Sequence, residues 1–188
     1  FNNTNDSTPP LNNTTLTLIS KTSAGGVIPS LNPVDGTAVT IGSRLFKVLY
    51  NGGDGNNVVI QAVTPVVGVT VSPAAASEVG GQSMVYTFTR DVISGPLPIT
   101  FSVGGTATLN TDYTVSSNDS GFTFSGTKGT ISFADGNATA TLVITPKSDT
   151  VVEPNETIVL TVLPGTVYRV SLPPNNTATG TITDNNIT

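Results

Sequence analysis

Residues 129 to 162 read GTISFADGNATATLVITPKSDTVVEPNETIVLTV. Three apolar alternations sit in this stretch: Ile131 and Phe133, then Ala140, Leu142 and Ile144, then Ile158, Leu160 and Val162. A period of two places each set on one face of a β-strand. Between the runs stand ADGN and PKSDTVVEPNE, whose Asp, Gly, Asn and Pro residues end strands and build turns. Helix, by this reading, is nearly absent.

The same pattern extends in both directions. SMVYTFTR (83 to 90) puts Met84, Tyr86 and Phe88 on one face, and PITFSV (98 to 103) does so with Ile99, Phe101 and Val103. Short amphipathic strands separated by Gly/Asn/Pro/Asp turns predict an all-β chain. Its main part is an immunoglobulin-like antiparallel β-sandwich of about seven strands over about residues 68 to 186. The expected core comprises Tyr86, Phe88, Phe101, Ile131, Leu142, Ile144 and Leu160.

Upstream, residues 37 to 63 alternate and break at Gly42-Ser43 and at NGGDGNN, which predicts a small β-meander of three strands. TPVVGVTVSP (64 to 73) runs directly into the first strand of the sandwich, so the domain boundary is expected near Thr64, with the sandwich domain spanning 64 to 188. Residues 1 to 36 read as an extended tail and connecting segment that holds one short strand, LTLIS at 16 to 20. GGDGNNVVI (52 to 60) is one degenerate copy of a calcium-binding nonapeptide, and a Gly/Asn hairpin turn accounts for it better.

Composition removes whole classes of function. The chain has no Cys and no His, and so lacks thiol nucleophiles, zinc-thiolate sites and the commonest general base. No nucleophile motif or arginine clamp accompanies the neighbouring Glu153 and Glu156, and no enzymatic activity is expected. The net charge is −5, and no basic stripe is available to meet phosphates, so no nucleic-acid partner is expected. No run reaches the ~18 to 20 apolar residues of a membrane span, so no membrane insertion is expected. Starting at Phe1 without an initiator methionine, the sequence reads as a processed or excised piece. Charged residues are only 10% of the chain, against ~25% in ordinary soluble domains. Together with the missing thiols and abundant Asn and Thr, this fits an extracellular or cell-surface location.

Nine acids lie between Thr64 and the end: Glu78, Asp91, Asp112, Asp119, Asp135, Asp149, Glu153, Glu156 and Asp184. Most fall in strand junctions. Alternate junctions of a sandwich share one end, so acids scattered in sequence can converge on one rim. A hard cation such as Ca²⁺ requires that convergence, taking ~6 to 8 oxygen ligands. The alternative is that the acids cap turns and keep a sparsely charged surface soluble.

EVGGQSMVYTFTR, PLPITFSVGGTATLNTDYT, the 129 to 162 stretch and ATGTITDNN together closely resemble the Calx-beta domain over about residues 68 to 186. The resemblance implies Ca²⁺ at one end of the sandwich. The ligands would be the glutamate that closes the first strand, the aspartate before the tyrosine, acids in the loop before the sixth strand, and a terminal acidic cluster. On this chain those positions are Glu78, Asp112, Asp149, Glu153, Glu156 and Asp184, with the Val151 carbonyl as a backbone ligand. Where strong sites end in consecutive aspartates this chain has Asp184-Asn185-Asn186, and Ser148 stands where calcium-sensing members have another acid. Fewer charges imply a weak site, in the ~10⁻⁴ to 10⁻³ M class of extracellular modules.

The expected function is a non-enzymatic structural or adhesive module of a bacterial surface protein or filament. The alternatives are a calcium-sensing regulatory domain and an accessory domain of a secreted hydrolase. The segment DGTAVTIGSRLFKVLYNGGDGNNVVI (35 to 60) also resembles the strand-rich closing part of bacterial surface repeats and β-helical exported proteins. LTLIS, an apolar β-former on a polar tail, suits addition to the sheet edge of a neighbouring copy, which would yield a homopolymer; pairing within its own chain is the alternative.

Overall fold

The computed structural model describes residues 15–20, 38–41, 44–52, 57–184 and 186, and it divides into two units, 1–64 and 65–188. Each unit has its own cluster of buried side chains.

The first unit is a four-stranded antiparallel sheet of β1 (Thr15–Ser20), β2 (Ala38–Ile41), β3 (Arg44–Gly52) and β4 (Asn57–Val63), in the order β1-β4-β3-β2. Alternation aligns its apolar residues. Val48 sits opposite Ile60, and with Tyr50 and Val58 they form the buried cluster, against which Val39 and Phe46 pack. Gly52 pairs with Asn57, so β3 and β4 are consecutive antiparallel strands; the Gly/Asn turn expected between them falls on residues 53–56, outside the described ones. LTLIS lies in edge strand β1 and pairs with β4 of its own chain. The tail before Thr15 lies outside the described residues.

The second unit holds β5 (Val66–Ser72), β6 (Ala75–Ser77), β7 (Met84–Arg90), β8 (Leu97–Gly105), β9 (Tyr113–Ser116), β10 (Thr123–Phe124), β11 (Lys128–Phe133), β12 (Thr139–Pro146), β13 (Glu156–Val162), β14 (Arg169–Val170) and β15 (Thr177–Thr183). A six-stranded sheet runs β10-β11-β8-β13-β15-β6, and a five-stranded sheet runs β14-β5-β7-β12-β9. Seven long strands form the body, as the alternation predicts. The other four, β6, β9, β10 and β14, are two to four residues long and all lie at sheet edges. Runs that short carry no readable period, so the predicted seven-strand sandwich lacks them. Pairing is antiparallel except for β14 with β5 and β15 with β6.

The two sheets bury their alternating apolar faces against each other. Phe88 of one sheet meets Phe101 of the other, with ring centroids 5.4 Å apart. The Tyr86 hydroxyl crosses the layer and donates to the Ile158 carbonyl at 2.8 Å. All seven expected core residues are fully buried.

Two devices shape the ends. Pro73 interrupts the first sandwich strand, because it has no N–H to continue a ladder; β5 before it belongs to the five-stranded sheet, and β6 after it joins the six-stranded sheet. At the other end the buried Arg90 guanidinium donates to the carbonyls of Asn137, Gly95, Ile93 and Ala134 at 2.6–2.8 Å and lies over the Phe133 ring at 5.2 Å. It ties together the loops that follow β7 and β11.

Candidate metal centre

The register of three strands aims three carboxylates at one rim of the sandwich. In β13, Ile158, Leu160 and Val162 point inward, and Glu156 is in phase with them at the strand start. In β15, Ala178, Gly180 and Ile182 are buried, and Asp184 is the next residue in that phase. In β6, Ala76 is buried, and Glu78 follows it in phase. The period of two therefore directs Glu156, Asp184 and Glu78 along the same inward direction as the core, just past its last apolar residue. The parallel pairing of β6 with β15, Ser77 opposite Thr183, sets Glu78 beside Asp184, and Glu78 N donates to the Thr183 carbonyl at 3.3 Å.

Asp112 arrives by a different route. Gly105 has φ 114°, a region favourable only to glycine. Beyond it Thr106 N and Ala107 N both donate to the Thr157 carbonyl, at 3.0 and 3.1 Å. The chain leaves the ladder there and forms a tight loop. In it Asp112 N donates to the Thr108 carbonyl at 2.9 Å, and Thr108 N donates to Asp112 Oδ2 at 2.5 Å. Asp112 ends up 6% exposed.

Carboxylate oxygens of Asp112, Glu153 and Glu156 lie within 4.8 Å of one another. Glu78 is 7% exposed, and its Oε2, like that of Glu156, is buried and accepts no hydrogen bond. Buried polar atoms without partners are rare in native proteins and call for an explanation. Burial, then the charges of Asp184, Asp149, Glu153 and Asp112, push the Glu78 carboxyl above its ordinary value. Burial, then the Asp112 charge and a hydrogen bond to Asp112, push Glu156 up to about 7. Glu153 is raised by desolvation and by Asp112, Asp149 and Asp184. The charges that raise these three carboxyls are all carboxylates. Such an assembly of like charges disfavours ionisation until a cation neutralises it.

The remaining expected ligands sit around this group. Asp149 is exposed, and its Oδ1 accepts from Val151 N at 2.7 Å. Asp184 Oδ2 accepts from Glu153 N at 2.9 Å, and Oδ1 from Asn186 N at 2.7 Å, which pins the 149–155 loop to the segment after β15. The Val151 carbonyl accepts the Asn186 side-chain amide at 2.9 Å, so an amide N–H occupies it here. Asn186 is the participant that sequence reading missed. It entered only as a residue replacing an aspartate, and its amide reaches the 149–155 loop through contacts no spacing reveals.

The other three acids hold loops. Asp91 accepts from Val66 N at 2.8 Å, Asp135 from Gly95 N at 2.6 Å, and Asp119 from Thr141 N at 2.6 Å. All the donors gathered at the rim are oxygens, and two of them are orphaned. That donor set fits a hard divalent cation and does not suit a soft metal.

No protein-family model and no curated protein matches the sequence. Among solved structures the chain is similar to the apo-form Calx CBD1 domain, at 21% identity and TM-score 0.46, covering 63% of this chain and 99% of that one. It is also similar to the calcium binding domain CBD12 of CALX1.1, at 22% identity and TM-score 0.46, with 62% of this chain and 45% of that one covered. The similarity to CBD12 from CALX1.2 is of the same order, at 22% identity and TM-score 0.45, with 62% and 43% covered. The chain thus spans less than half of the two CBD12 structures. At such identities the likeness concerns the fold alone.

Proposed function

We propose that the second unit is a calcium-binding module of the Calx-beta type, non-enzymatic, that stiffens part of an extracellular surface protein. The observation that carries the reading is Glu78, a buried carboxylate with an orphaned oxygen among neighbours that are all negative. A cation among Glu78, Asp112, Glu153, Glu156 and Asp184 satisfies the orphan and removes the repulsion together. The low charge content and the absence of Cys support the extracellular assignment, where millimolar ion fills a weak site.

Calorimetry with Ca²⁺ and with chelator tests this. With a dissociation constant of ~0.5 mM, 5 mM Ca²⁺ adds about 1.4 kcal/mol by mass action. Wild type should melt higher with the ion, and Glu78→Gln and Asp112→Asn should lose that response while remaining folded. An unchanged wild-type melting temperature would reduce the acids to solvated loop residues.

A further inference from the structure

We infer that the rim around this site is a calcium-dependent docking surface for anionic lipid membranes, an inference that rests on the calcium reading above. Six large apolar side chains are exposed among the described residues: Ile41, Val79, Ile93, Val151, Val152 and Leu172. Three of them belong to two of the loops that carry the site. Val79 follows Glu78, and Val151 with Val152 lies between Asp149 and Glu153; each is more than half exposed. These loops flank Asp184, one through the Glu78 N bond to Thr183 and the other through the Glu153 N bond to Asp184.

Three features equip these tips for an apolar medium. First, three of their backbone groups are already satisfied. Val151 N donates to Asp149, the Val151 carbonyl accepts from Asn186, and Val79 N donates to the Ser77 hydroxyl. Entering lipid therefore does not strip these groups of water without replacement, the usual cost of inserting a loop. Second, the five carboxylates of the site, giving one oxygen each, fall short of the ~6 to 8 oxygens that calcium takes, so positions remain for oxygens from outside, such as those of a lipid phosphate. Third, the ion weakens the local negative field, because a divalent cation cancels two of the carboxylate charges at the rim. Without it, the cluster and the net charge of −5 repel an anionic surface; with it, the rim offers a cation between apolar tips.

These tips occupy separate loops, and two grooves among the described residues lie elsewhere, about Thr100 and Phe101 and about Gly104 to Leu109. A lipid surface accepts isolated tips, while a protein partner needs a contiguous complementary area of ~800 Å² per side. No described helix is long and apolar enough to cross a membrane; docking of this kind is shallow and uses only side chains at loop tips.

The experiment is co-sedimentation of the full chain with vesicles of phosphatidylglycerol and phosphatidylcholine, or of phosphatidylcholine alone, in millimolar Ca²⁺ or chelator. Binding is expected only with Ca²⁺ and anionic vesicles. The double variant Val79→Ser, Val152→Ser should lose about tenfold or more in vesicle affinity while keeping the wild-type rise in melting temperature with Ca²⁺. A wild type stabilised by Ca²⁺ yet unbound to anionic vesicles overturns the docking surface and leaves the ion site standing. Absence of any Ca²⁺ effect on melting overturns both. Equal binding to neutral vesicles, equal binding in chelator, or an unweakened serine variant each overturns the docking surface alone.

Discussion

Replacing Glu156 by Gln should stabilise the ion-free protein, and the gain should depend on pH in a direction the geometry dictates. Glu156 has an ordinary pKa of 4.5 that is raised to about 7 in the folded chain, first by burial and then by Asp112. Below pH 4.5 both folded and unfolded forms hold the proton, and wild type resembles the Gln variant. Between pH 4.5 and about 7 the folded chain binds more protons than the unfolded chain, so stability falls as pH rises. Above about 7 the penalty is complete. Its ceiling is about 3 kcal/mol, which solvent screening at the rim reduces to about 1 to 3 kcal/mol. The Gln amide can still donate to Asp112, so the variant keeps that hydrogen bond while losing the charge. Calorimetry in chelator should show wild type and Glu156→Gln melting together near pH 4.5. The variant should melt about 4 to 10 °C higher at pH 8. Millimolar Ca²⁺ at pH 8 should shrink or invert the gap, because the ion uses the charge that the variant lacks. A gap that stays constant from pH 4.5 to 8, or a wild type more stable than the variant at pH 8 in chelator, would refute the reasoning.

Leu142→Ala deletes a fully buried side chain of β12 and should cost about 2 to 5 kcal/mol, read by denaturant unfolding. Arg90→Lys should cost about 2 to 4 kcal/mol, because a single ammonium cannot reproduce bonds to four carbonyls; a change below 0.5 kcal/mol would show that the clamp is dispensable. Gly105→Ala places a Cβ 2.1 Å from the Thr157 carbonyl oxygen, so the loop bearing Asp112 must shift. Both the melting temperature and its rise with Ca²⁺ should fall.

The period-two alternation determined the body of the fold from sequence alone. Leu142, Ile144 and Ile158 recur at strand spacing because a sandwich strand must bury one face, and local spacing records that need directly. The short strands β6, β9, β10 and β14 left no such record. Two to four residues carry no period, and their pairing depends on edges supplied by distant segments. The candidate ligands were legible through resemblance, and they also carry a local signal. Glu78, Glu156 and Asp184 each occupy the inward phase of a strand, one step beyond its last buried residue Ala76, Ile158 or Ile182.

Only the tertiary structure decided which of these acids meet. Phase gives a direction within one strand but not which strand ends share a rim. That was settled by the sheet change at Pro73, which lays β6 beside β15, and by the departure from the ladder after Gly105, which swings Asp112 towards Glu153 and Glu156. The raised carboxyl of Glu156 and the orphaned oxygen of Glu78 arise from charge and burial gathered over more than a hundred residues of chain. Electrostatic energy depends on distance in space, and a sequence fixes that distance only after it has folded.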